Sequence, residues 1–363
     1  MRPRVRLAGY GADIPAEAPP YRPSLVDRVV EALRRSRWPA AGVYAALAVL
    51  CVAAEIAVHW ADGTFPDGFR FMHVMLPTYA VIVLPSFHYR NDVAARALAD
   101  ARPLLTLDED GYDDLRYRLT HLPAGPSLAA GLGGLALLGL LLAIRPEGSD
   151  AALGLYTSPA TTALETVFQV LTWSGVGVTA YHVLHQMALV SQTYTRHTRI
   201  NLFTPGPLYA LSRLTAANTM FSVAFLAVAS IALAPSGDLD SSPTTTPQWV
   251  VVLVVVLALA GGSFVAPLWG AHRLLAAEKN RQQDELGRRM ESAVGTLQAQ
   301  VDNGDVAAAG AMAPVLEGLT SADRTLDRIS TWPWEPDTLR AVVTALVAPV
   351  VIYVVTQALD AWF

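Results

Sequence analysis

Two groups of residues in this chain have the types and spacing to bind a cation, a proton or a small polar ligand. Thr162, Glu165, Gln169, Thr172, Thr179, His182 and Gln186 recur at three- and four-residue steps or their sum. On a helix they share one face. Polar groups inside an apolar stretch cost free energy unless water, a partner or a ligand meets them, so this face is a site in its own right. Its outer part, Glu165, Gln169 and Thr172, is the expected ligand pocket; helix–helix hydrogen bonding is the competing reading. The second group closes the chain. Within the apolar run 341–359, Tyr353, Thr356 and Gln357 fall at helical spacing, Asp360 continues the face, and Leu346 and Val350 lie beneath it. Repeated about a symmetry axis, Leu346, Val350, Tyr353, Thr356, Gln357 and Asp360 would form an apolar constriction under a polar ring with an acidic mouth, the layout of a cation pore.

Other ionisable residues point to less. Glu55, His59 and His73 lie toward the outer ends of two apolar stretches and would make a metal or proton site if they cluster; placement at the headgroup level explains them more simply. His182 and His185 stand three apart, but a pair lacks the further ligands a metal needs. Asp108, Glu109, Asp110, Asp113 and Asp114 do not follow the ligand spacing of a calcium loop, and acidic residues suit a helix N-terminus. No metal, cofactor or catalytic residue is assigned. There is no phosphate-binding loop, nucleophile elbow, zinc-protease motif or dinucleotide fingerprint. The expectation is a non-enzyme.

These residues sit on apolar helices. The chain has 363 residues, 53% of them hydrophobic and 16% charged, with mean hydropathy +0.35 and net charge −5. Long apolar runs at 38–60, 71–87, 127–145, 162–191, 208–234, 248–270 and 338–360 predict an all-α polytopic membrane protein of seven transmembrane helices. Basic residues alternate between loops: eight arginines in 1–37, five in 88–126, two in 192–207 and seven basic residues in 271–337, against only Arg70 and Arg145 on the other side. That bias predicts an N-terminus inside and a C-terminus outside. The single Cys51 allows no intrachain disulfide, and 25 arginines against one lysine read as a GC-rich prokaryotic coding bias.

Between the spans, residues 1–37 predict a proline-rich arm and an amphipathic start helix, with Ser24 and Asp27 as a capping pair and Leu25, Val29, Val30 and Leu33 on one face. Loop 88–126 predicts two short helices, near 91–102 and 109–121. The sixth span continues as helix to about Val301, where Asn303-Gly304 stops it; a seam of Leu286, Met290, Val294, Leu297 and Val301 runs along it. Residues 271–336 thus form a cytoplasmic helical bundle and anchor, ending in Trp332-Pro333-Trp334-Glu335-Pro336, ahead of the last helix in 337–363. Gly131, Gly133 and Gly134 predict close packing of the third span.

The whole layout resembles the seven-helix ligand-gated cation channels typified by insect odorant and gustatory receptors. The gustatory members carry Thr-Tyr, five apolar residues and Gln-Phe in the last span; here Tyr353 and Gln357 stand four apart without the flanking Thr and Phe. The resemblance implies a homotetramer joined through its cytoplasmic helices. It also implies a pore lined by the last helices around Val350, Tyr353 and Gln357, and a small-molecule pocket in the outer half of each bundle, at the outer face of the fourth span. The expected function is therefore a homo-oligomeric cation channel of the cell membrane, in contact with the bilayer and not with nucleic acid. A secondary transporter, or a receptor or scaffold signalling through its cytoplasmic helices, is the alternative.

Overall fold

The computed structural model describes residues 19–69, 71–144, 156–199, 201–203, 206–233 and 246–360. Among them the regular structure is helical, with isolated bridges only: α1 (Leu25–Arg34), α2 (Ala40–Ala61), α3 (Met72–Ala101), α4 (Glu109–Thr120), α5 (Ala124–Ile144), α6 (Pro159–Arg196), α7 (Gly206–Leu233), α8 (Thr246–Asp302), α9 (Val306–Arg328) and α10 (Pro336–Asp360). A helix covers each of the seven apolar runs. α2 and the segment Ala124–Ala143 of α5 are long and apolar enough to cross a membrane. Both leave most of their apolar side chains uncovered, among them Val49, Leu50, Leu128 and Leu132. A surface of that kind is costly in water and suits hydrocarbon.

α3 is the central helix, packed by α1, α2, α4, α6 and α7, while α5 lies along α6, and α10 along α7 and α8. It runs unbroken past Pro77 and Pro85 to Ala101, so the first of the two expected loop helices is its own continuation. The reason is burial: Ala94, Ala97, Leu98 and Ala101 are enclosed among Leu115, Leu189, Leu211 and Leu268. A tertiary gain of that size outweighs the polar residues that mark 91–102 as a separate piece. This main core gathers residues of α3, α4, α6, α7 and α8, joined by Leu326 of α9 and Val342 of α10.

The start helix is clamped rather than loose. Asp27 Oδ2 accepts the Leu122 N–H (2.8 Å) and the Ser24 hydroxyl (2.7 Å), and Ser24 N–H donates to Leu122 O (2.9 Å). These bonds fix the rotation of α1. Val30 is driven into a core with Val83, Phe87, Leu122 and Val178, whereas Leu25 and Val29 of the expected apolar face point outward.

α8 spans 57 residues, about 85 Å at 1.5 Å per residue. α9 folds back along it, and the Lys279 ammonium donates to the carbonyls of Asp327 and Ile329 at the end of α9 (2.8 and 3.1 Å). Trp332 stacks on His272 (4.0 Å between centroids) and on Trp334 (4.3 Å), which in turn stacks on Phe264 (5.3 Å). Trp332 and Trp334 are thus stacked on α8. They set the point from which α10 departs.

Candidate functional site

Three helices bring four ionisable side chains into one buried cluster. Glu55 and His59 lie one turn apart on α2, His73 sits in the first turn of α3, and Glu165 in the second turn of α6. All four are fully buried. His59 Nε2 is 3.1 Å from Glu165 Oε1 and 3.5 Å from Glu55 Oε1. The His59 and His73 rings meet edge to face at 4.3 Å, and one donor atom from each of His59, His73 and Glu165 falls within 4.8 Å of the others. Among the described residues neither oxygen of Glu55 has a hydrogen-bond partner, nor has Nδ1 of His59.

Local chemistry holds the cluster in place. Phe65 stacks on His59 (4.8 Å, 13° between planes) and meets His73 at 5.0 Å, closing the outer side together with Phe69. Ser158 and Thr161 form a reciprocal capping box at the start of α6, with Pro159 in its first turn, which fixes the height of Glu165. The Tyr156 N–H donates to Glu165 Oε2 (2.6 Å) from a left-handed backbone (φ 59°), an unusual state for a residue other than glycine. Asp62, just past α2, accepts bonds from the hydroxyls of Thr64 (2.6 Å) and Thr157 (3.0 Å) and so latches the segment after α2 to the one before α6. The Thr64 hydroxyl, first among its partners, holds the Asp62 carboxyl down at about 2.

The sequence reading divided these residues. Glu165, expected in a ligand pocket with Gln169 and Thr172, lies against His59, with Gln169 and Thr172 half-buried on the next turns of α6. Glu55, His59 and His73 do cluster, and all three are fully buried. The missed signal is the outer end of α6, because a helix face read alone cannot say which other helix it meets.

A second polar centre lies deeper, between α3, α6 and α7. Gln186 donates to Leu119 O (2.9 Å) and accepts from Asn218 (3.0 Å). Arg90 is fully buried with its guanidinium 4.3 Å over the Phe221 ring, and among the described residues no group hydrogen-bonds its three guanidinium nitrogens. In sequence Arg90 counts merely as one loop arginine; its contact with α7 is invisible there. His182 lies against the Phe87 ring, while His185 Nε2 is 3.2 Å from Arg118 O, so the two histidines serve different neighbours.

Of the expected pore residues, Leu346 is partly buried and packs against the main core beside Gly261. Val350 is partly exposed. The side chains of Tyr353, Thr356, Gln357 and Asp360 lie outside the described residues. Among the described side chains of α10, Val343, Val347, Val351 and Val355 form a stripe, each about half exposed. Comparison with protein-family models, with curated proteins and with solved structures gave no match.

Proposed function

We propose that this chain is the subunit of a homo-oligomeric cation channel of the cell membrane, gated by a small molecule. In this reading seven helices cross the bilayer (α2, α3 and α5 to α8 through their apolar parts, then α10), with the N-terminus inside and the C-terminus outside. α8 and α9 extend into the cytoplasm and hold the copies together, in a tetramer by the resemblance to the odorant and gustatory receptors.

The observation that carries the reading is the valine stripe of α10. Leu339, Val342 and Leu346 seat one side of that helix on the rest of the chain, and among the described residues Val343, Val347, Val351 and Val355 are each left about half exposed. An apolar helix face at the edge of a bundle gains from a second copy or from a narrow pore that dewets when closed. The alternation of basic loops supports the orientation, and the 57 residues of α8 supply a cytoplasmic arm long enough for contacts between copies.

The test is single-channel recording of the purified protein in planar bilayers. Discrete cation currents are expected, with conductance altered by Val347→Ser or Val351→Ser. Oligomeric, folded protein that passes no current across a broad panel of small molecules returns the chain to the transporter or receptor readings.

A further inference from the structure

We propose that Glu55, His59, His73 and Glu165 form a buried binding site for one divalent transition-metal ion of the zinc class. The inference goes beyond conduction and does not depend on it. It runs against the expectation from sequence that the chain holds no metal.

The donor set fits first. Two imidazoles and carboxylates are the nitrogen and oxygen ligands that such ions take, and inward-facing Glu and His side chains from several helices are how bundles build metal centres. The distances fit next. With metal–ligand bonds of about 2.0–2.1 Å, neighbouring donors of a tetrahedral site lie about 3.3–3.4 Å apart. His59 Nε2 stands 3.1 Å from Glu165 Oε1 and 3.5 Å from Glu55 Oε1, on either side of that value. The donor atoms of His59, His73 and Glu165 already fall within 4.8 Å of one another, whereas Glu55 stands outside that group, beside His59, and completes the site only by moving onto the ion.

Glu55 supplies an independent reason. Its carboxyl group is fully buried and neither oxygen accepts a hydrogen bond. A carboxylate in that state is costly unless a cation or a proton neutralises it. A dication would balance two carboxylates while leaving both imidazoles neutral, the form in which they ligate. The rings of Phe65 and Phe69 close the outer side, giving the apolar collar that strengthens the attraction between ion and carboxylates.

The experiment uses the full chain in detergent, stripped with chelator and titrated with Co²⁺ alone and with Zn²⁺ alone. Elemental analysis is expected to return one ion per chain, and Co²⁺ to give the visible absorption of a tetrahedral nitrogen–oxygen site. Glu55→Gln, His59→Gln and Glu165→Gln, close in shape to the native residues, each weaken binding by at least about tenfold, while His185→Gln binds as the wild type does. Stripped wild-type protein that is folded yet takes up neither ion overturns the proposal and leaves the cluster as a proton-sharing one. So does binding that all three cluster variants retain. Loss of metal with currents intact separates this site from the channel reading, and currents absent with metal bound separates them the other way.

Discussion

His121 sits at the joint between α4 and α5, where burial sets its protonation. Its ring stacks on Tyr117 (4.5 Å, 7° between planes), and Nδ1 is 3.0 Å from the Thr120 hydroxyl. Burial lowers its pKa below the ordinary 6.5; Asp27 and Glu31 of α1 pull the other way, and Arg34 adds to the lowering. The folded chain therefore binds this proton less readily than the unfolded chain. Its contribution to stability is complete above about pH 6.5 and is lost as pH falls from there through the lower folded value. Thermal melts in detergent between about pH 7.5 and about pH 5.5 should show the wild type losing stability faster than His121→Gln; parallel profiles would remove His121 from the account. Single residues were legible in sequence where their partner is local. Ser24 and Asp27 bond three residues apart as expected, and Asp108 caps α4 through the Gly111 N–H (3.0 Å). Residues whose partners lie far along the chain were not: Glu165 meets His59 across 106 positions, and periodicity on one helix carries no information about that distance.

Among the elements, the α5–α6 crossing carries the sharpest test of packing. A Cβ on Gly134 would lie 2.0 Å from Trp173 O, and one on Gly177 2.0 Å from Ala130 O, so each backbone rests directly on the other. Gly133 faces open space. The glycines of this stretch predicted close approach as a group, but only their placement around the helix separates the contact positions from the free one. Gly134→Ala and Gly177→Ala should each destabilise the chain by about 1–3 kcal/mol or more, the cost of forcing two backbones apart. Gly133→Ala should be neutral or slightly stabilising, since alanine is the better helix former. Melting temperatures of the three variants check this, and equal losses at all three would mean that the crossing is not where the helices touch. The same logic explains the boundaries. Helix existence followed from long apolar runs and stop signals such as Asn303-Gly304, where Gly304 has φ 75°. The fusion of 91–102 with α3 did not, because it depends on a core assembled from α4, α6, α7 and α8.

At the scale of the molecule the open matter is what covers the valine stripe of α10, and the chain's own composition makes that measurable. Cys51 is the only cysteine, so Cys51→Ser gives a background in which each added thiol reports alone. Lipid and a second copy both satisfy an apolar face, and their energies are too close for burial arithmetic to choose between them. Geometry separates them, since disulfides form only when two Cα atoms come within about 7 Å. If copies meet or surround a pore along α10, Val347→Cys or Val351→Cys should cross-link between chains under mild oxidation in membranes. Leu346→Cys, turned into the chain's own core beside Gly261, should not, and neither should Val167→Cys on the exposed side of α6. Cross-linking at Val167 rather than on α10 would move the contact between copies to α6 and take the last helix out of the pore. No intermolecular disulfide at any of the four, in protein shown to be oligomeric by its mass, would hand the valine stripe to lipid and leave α8 and α9 to hold the assembly.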